Sequence, residues 1–145
     1  MRDTYSMEKQ TKNNKVIFVC AENAGRSQMA EALFNSIVAG NHINWIGESA
    51  GTFPASRINP IVIQIMEEKG ITIGNKQPRA FLPEKALEYS RIISFGCLVK
   101  SAFSKEIQDR IEEWHIEDPK DKTLAEVREI RDEVEQHVNK LIETI

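Results

Sequence analysis

Two cysteines in 145 residues are too few for the disulfide framework of a small secreted domain. They read instead as reduced thiols available for chemistry. No apolar run approaches the roughly 20 residues of a membrane-spanning helix. The N-terminal stretch MRDTYSMEKQTKNN lacks the apolar centre of a secretory signal, so residues 1–14 are expected to form a flexible tail and the cytoplasm is the expected compartment. Charge of one sign is also missing. The formal net charge is −3 with acidic and basic residues interspersed, which leaves no concentrated basic face for nucleic acid or an anionic membrane. His42, His115 and His137 have no ligand spacing with the cysteines, so no metal site is expected. No internal repeat, low-complexity segment or linker divides the chain.

What is present is an ordinary globular composition, 41% hydrophobic and 28% charged, enough for one core without staples. Residues 15–145 are therefore expected to form one domain. Lys15 to Cys20 is β-branched and aromatic, the pattern of a strand buried on both faces. The period then changes: Met29, Ala32, Leu33, Ser36 and Ile37 share a helical face that Gly40-Asn41 should end. Ile43 to Ser49 is a second strand candidate, closed by Gly51. Asn59-Pro60 is a strong helix start, with Ile61, Val62, Ile65 and Met66 inward and Gly70 as the left-handed stop. A loop over 74–83 precedes a third strand over 89–95. Residues 98–110 are ambiguous, with helical spacing and no convincing cap. Residues 111–116 suggest a fourth strand. Thr123 and Glu126 form a capping box for a long amphipathic helix inward at Leu124, Val127, Ile130, Val134, Val138, Leu141 and Ile145. Strands alternating with helices predict a three-layer, flavodoxin-like α/β domain with a four-stranded parallel sheet.

Ligands of open α/β sheets bind beyond the carboxyl ends of strands, at helix N-termini. Cys20 to Arg26, CAENAGR, lies at such a place. The loop can curl so that the backbone N–H groups of Ala21, Glu22, Asn23, Ala24, Gly25 and Arg26 cradle a tetrahedral anion. Arg26 would close the ring with a planar fork matched to two oxygens. Cys20 would lie in a positive field that favours its thiolate, and Ser27 can donate its hydroxyl to it. These parts suit nucleophilic attack by sulfur on a bound oxyanion.

VCAENAGRSQMAE resembles the phosphate loop of the low-molecular-weight protein tyrosine phosphatases and of the arsenate reductases that share their fold. The similarity continues through ESAGT at 48–52, NPIVIQIMEEKGITI at 59–73 and EDP at 117–119, and so covers nearly all of the chain from Lys15 on. The resemblance implies that Asp118 is the general acid, in a loop that Pro119 holds extended, and that Asn23 supports the loop conformation.

Within that superfamily, RSQMAE resembles the reductase version. Cys97, just after the third strand, matches the second thiol of those reductases. Lys120-Asp121 stands where phosphatases carry aromatic residues. The resemblance implies that Cys20 attacks arsenate, with Asp118 assisting the departing water. Cys97 then attacks the adduct, carried by motion of the loop 96–104, to leave a Cys20–Cys97 disulfide. Thioredoxin-coupled members use three cysteines, and none follows Cys97. An external thiol would therefore reduce that disulfide or resolve the first adduct: thioredoxin, glutaredoxin, or a low-molecular-weight thiol such as glutathione or mycothiol. No bound cofactor is expected. Phosphomonoester hydrolysis through a Cys20 phosphocysteine is the alternative activity, and a non-catalytic oxyanion-binding module a third reading. Glu22 places negative charge beside an anion site, which weakens binding unless its side chain points outward.

Overall fold

The structure is a computed structural model that describes residues 14–145; of the expected tail, residues 1–13 lie outside the described residues. Strand β1 (Lys15–Cys20) leads into helix α1 (Arg26–Gly40), then β2 (Ile46–Gly51) and α2 (Pro60–Glu67). A 3₁₀ helix (Pro83–Glu88), β3 (Arg91–Ser94), a 3₁₀ turn (Lys100–Ala102), α3 (Lys105–Gln108), β4 (Ile111–Glu113) and α4 (Leu124–Glu143) follow. All strand pairs are parallel, in the order β2-β1-β3-β4. The chain goes from β1 outward to β2, then crosses to the other side for β3. The carboxyl end of β1 therefore lies at the point where the winding reverses, where such sheets open a crevice.

Alternation along β1 builds two cores. Val16, Phe18 and Cys20 pack with α1, α2 and α4, whereas Ile17 and Val19 face a thinner layer containing Ala86, Tyr89, Phe103 and Ile107. Phe18 packs edge-on against Phe34 of α1. Each such fully buried side chain contributes roughly 1.5–3 kcal/mol by its removal from water. Both helix signals expected for α2 are present: Asn59 Oδ1 accepts from Ile61 N at 3.0 Å, and Gly70 is left-handed at φ 77°. The capping box of α4 is complete, with Thr123 N donating to Glu126 Oε1 and Glu126 N to Thr123 Oγ1.

Several boundaries differ from expectation for local reasons. Gly40 is the last residue of α1, and the left-handed residue is His42 (φ 56°); His42 N donates to Ala39 O and Ile43 N to Val38 O, a Schellman closure. Ile43 is consumed in that closure, so β2 begins at Ile46. It runs through Gly51, which lies in register with Cys20. The inward face of α1 is Met29, Ala30, Leu33, Phe34 and Val38, while Ser36 is exposed. β3 starts late because Tyr89 still closes the preceding 3₁₀ helix by donating to Ala86 O. β4 ends at Glu113, and Trp114 and Ile116 turn into the helix-side core. In the ambiguous segment Ser104 does cap α3, its Oγ accepting from Ile107 N at 3.4 Å. Among the described residues no helix is long and apolar enough to cross a membrane.

Candidate active site

The loop after β1 has its peptide units oriented by its neighbour. Segment 52–59 runs beside it, and Thr52 N donates to Cys20 O, Phe53 N to Ala21 O, Ala55 N to Glu22 O and Asn59 N to Ala24 O. Each of those carbonyls is turned outward. Because the C=O of one residue and the N–H of the next point in opposite directions within a trans peptide plane, the N–H groups of Ala21, Glu22, Asn23 and Gly25 turn inward. Asn23 N reaches Cys20 Sγ at 3.3 Å. The result is a concave ring of donors above the sulfur, at the start of α1, an arrangement that binds anions.

Cys20 lies at the bottom, 3% exposed. Its Sγ is 2.9 Å from Ser27 Oγ. Ser27 Oγ also accepts from Asn23 Nδ2 at 2.7 Å, which leaves its own proton to point at the sulfur. Asn23 is left-handed, φ 54°, and wholly buried. Its second amide hydrogen goes to Ser49 Oγ at 3.0 Å, and its Oδ1 accepts from Gln28 Nε2 at 3.1 Å and from Arg79 N at 2.8 Å. With every donor and acceptor engaged, the side chain holds a backbone geometry that most residues resist.

The network extends further than sequence reasoning reached. Ser49 Oγ donates to Glu31 Oε1 at 2.5 Å, and the buried Glu31 carboxylate is paired with Arg79 at 2.9 Å and Lys76 at 3.3 Å. Arg79 thus touches both ends, through its main chain at Asn23 and its guanidinium at Glu31. The available signal was polarity in the wrong place: Gln28 and Glu31 are one turn apart on the buried side of α1.

Arg26 stands beside the pocket with Nη1 donating to Ile116 O at 2.9 Å and Nη2 3.7 Å from Asp118 Oδ2. Its guanidinium lies 5.6 Å from the centre of the Phe95 ring. Asp118 Oδ1 accepts from Lys120 N at 3.0 Å, and Pro119 is buried. Gly25 is the seat for that proline: a Cβ there would sit 2.7 Å from Pro119 Cγ. The structure therefore brings together Cys20, Arg26, Ser27 and Asp118, as expected. Glu22 lines the rim of the cavity and its carboxylate is paired with Lys120 Nζ at 3.3 Å, which offsets the unfavourable charge. A cavity of about 190 Å³ opens over Cys20 between segment 55–60 and segment 118–120.

Cys97 is placed differently. It packs with the Ile17 and Val19 side of the sheet, and its thiol donates to Val19 O at 3.3 Å. Burial pushes this thiol up from the ordinary value, and the neighbouring Cys20 charge adds to the rise. Both cysteines are free. His115 and His42 are exposed, His137 packs against Trp114 with the rings tilted, and no cluster that could hold a metal occurs among the described residues.

Residues 15–145 match the family described as low molecular weight phosphotyrosine protein phosphatase. The chain is 35% identical over 132 residues to a glutaredoxin arsenate reductase of Synechocystis sp., covering 90% of this chain and 98% of that one. A solved arsenate reductase of Archaeoglobus fulgidus is 31% identical with a TM-score of 0.72, covering 88% of this chain and 98% of that chain. A low molecular weight protein tyrosine phosphatase from T. tengcongensis shares the fold with a TM-score of 0.82 at 23% identity, covering 90% and 99%.

Proposed function

We propose, for a chain that belongs to the low molecular weight phosphotyrosine protein phosphatase family, that it reduces arsenate to arsenite with Cys20 as nucleophile. The observation that carries this reading is a buried cysteine beneath a ring of inward N–H groups, with a serine hydroxyl 2.9 Å from its sulfur. The likeness to proteins named arsenate reductase supports the choice of arsenic over phosphorus. So does the cavity, which no aromatic side chain lines among the described residues.

Arsenate would settle on the loop amides, and the Arg26 fork would take two of its oxygens. The Cys20 thiolate attacks arsenic while Asp118 gives its proton to the departing oxygen, so that water leaves and a Cys20–S–As(V) bond remains. Inward amides meet the charge developing on the other oxygens, the usual source of the largest share of such catalysis. A second thiol then attacks Cys20 Sγ. The S–As electron pair passes to arsenic, and arsenite departs.

Cys97 or an external thiol could supply that second sulfur, and the geometry favours the external one. Cys97 faces the other layer, bonded to Val19 O, and burial holds it in the protonated, poorly nucleophilic form. Phosphate ester hydrolysis would use the same first step.

The test is anaerobic incubation of reduced protein with arsenate and a small thiol, with arsenite measured directly. Arsenite should form over many turnovers, and Cys20→Ser should abolish it. No arsenite, together with p-nitrophenyl phosphate hydrolysis that depends on Cys20, would make the chain a phosphatase instead.

A further inference from the structure

The reading of this chain as an arsenate reductase leaves its reductant unassigned, and the walls of the cavity bear on it. Cys20 is nearly sealed: Ser27 and the Asn23 amide lie against its sulfur, and the sheet core lies beneath. A reducing sulfur must therefore come down the same cavity as arsenate. With the oxyanion on the loop amides, the space left runs outward between segment 55–60 and segment 118–120.

The charges along that path are unequally committed. Arg26 is engaged by Ile116 O and Asp118, and Lys120 by Glu22. Arg57 lines the cavity, is exposed, and has no hydrogen bond or ion pair to any other described residue. Around it the wall is Ala55, Ile58 and Pro60, short or apolar, together with Asn59, whose Oδ1 is already taken by Ile61 N. A free guanidinium at the mouth of a pocket matches a carboxylate in a planar, two-point contact.

We propose that Arg57 is the carboxylate-binding residue of a subsite for a small anionic thiol, and that this thiol resolves the Cys20 adduct. The inference rests on the arsenate reductase reading. The thiolate sulfur attacks Cys20 Sγ; the S–S bond forms, the S–As bond breaks, and its electron pair reduces As(V) to As(III), which leaves as arsenite. A second equivalent of the same thiol attacks the mixed disulfide and releases the Cys20 thiolate and the symmetrical disulfide. Two thiols supply two electrons and two protons, and the oxygen lost from arsenate leaves as water.

The experiment compares three small thiols at saturating arsenate: 3-mercaptopropionate (anionic), 2-mercaptoethanol (neutral) and cysteamine (cationic), each rate normalised to its thiolate concentration. The expected order in the wild-type protein is anionic, then neutral, then cationic, with about fivefold between the extremes, the scale of a solvent-exposed charge contact. Arg57→Met should flatten that order and Arg57→Glu should reverse it. Because Arg57 is exposed, neither variant removes a core contact. An order unchanged in Arg57→Glu would overturn the subsite. Turnover supported only by a protein dithiol and indifferent to the charge at 57 would do the same. Failure of the underlying reading looks different: no thiol of any charge would then yield arsenite, with Arg57 or with either variant, even where arsenate still protects Cys20 from alkylation as a bound phosphate analogue.

Discussion

At the scale of single residues, the site depends on contacts too close for any extra atom. Gly25 is the sharpest case. A methyl group at this position would meet Pro119 Cγ at 2.7 Å, and a proline ring cannot swing aside as a flexible side chain could. Gly25→Ala should push out the segment that carries Asp118, lowering kcat about tenfold and stability by about 1–3 kcal/mol, the usual cost of overpacking. Gly40 is the control, since a Cβ there meets nothing within 4 Å. As the last residue of α1 it should tolerate alanine with stability unchanged or raised by up to about 1 kcal/mol. Denaturation midpoints and arsenite formation for the two variants check both halves. Equal behaviour would mean that Asp118 is not seated through this contact.

At the scale of elements, helices α2 and α4 are joined by a charge cluster away from the site. Glu68 accepts from Arg128 Nε and Nη2, and Arg131 Nη1 bridges Glu68 Oε1 and Ile65 O. The hydrogen bond from Arg128 is the main influence holding the Glu68 carboxyl below its ordinary range. A carboxylate lowered on folding stabilises the fold above its unfolded value, and that stabilisation is lost as pH falls through the folded value. Glu68→Gln should therefore be less stable than wild type at neutral pH, with the difference closing in acid below the ordinary glutamate range. Urea midpoints at several pH values measure it. A difference independent of pH would assign the effect to packing instead. The buried Glu31 works at the same scale, because it ties the loop carrying Lys76 and Arg79 to α1 and through Ser49 to the site.

At the scale of the whole molecule, the sheet keeps the two thiols in different layers. Cys20 belongs to the helix-side core and Cys97 to the opposite one. A disulfide requires Cα atoms within about 7 Å and converging Cβ directions, whereas Cys20 packs into one core and Cys97, in the loop after β3, against the other. Mild oxidation of the folded protein should leave both thiols largely titratable, whereas the same oxidant in urea should close the bond readily. Rapid loss of two thiols from the folded protein would show instead that the loop 96–104, hinged at the left-handed Gly96 (φ 85°), carries Cys97 across.

The sequence alone determined whatever local chemistry and periodicity control. The parallel α/β plan, the Asn59-Pro60 and Thr123–Glu126 helix starts, and the Cys20 to Arg26 loop with Ser27 were all legible, because each is specified by residues a few positions apart. Asp118 was legible only through resemblance, since an Asp-Pro pair by itself equally marks a turn. Only the tertiary structure decided the remainder. The segment 52–59 turns the loop carbonyls outward, Glu31 and Arg79 fix Asn23 from distant elements, and Glu22 is neutralised by Lys120. The sheet also sets Cys97 on the face away from Cys20. Each depends on which side of the sheet a residue occupies and on what lies across a gap from it. A one-residue change in strand phase inverts the first, and the second is fixed by contacts between residues far apart in the chain.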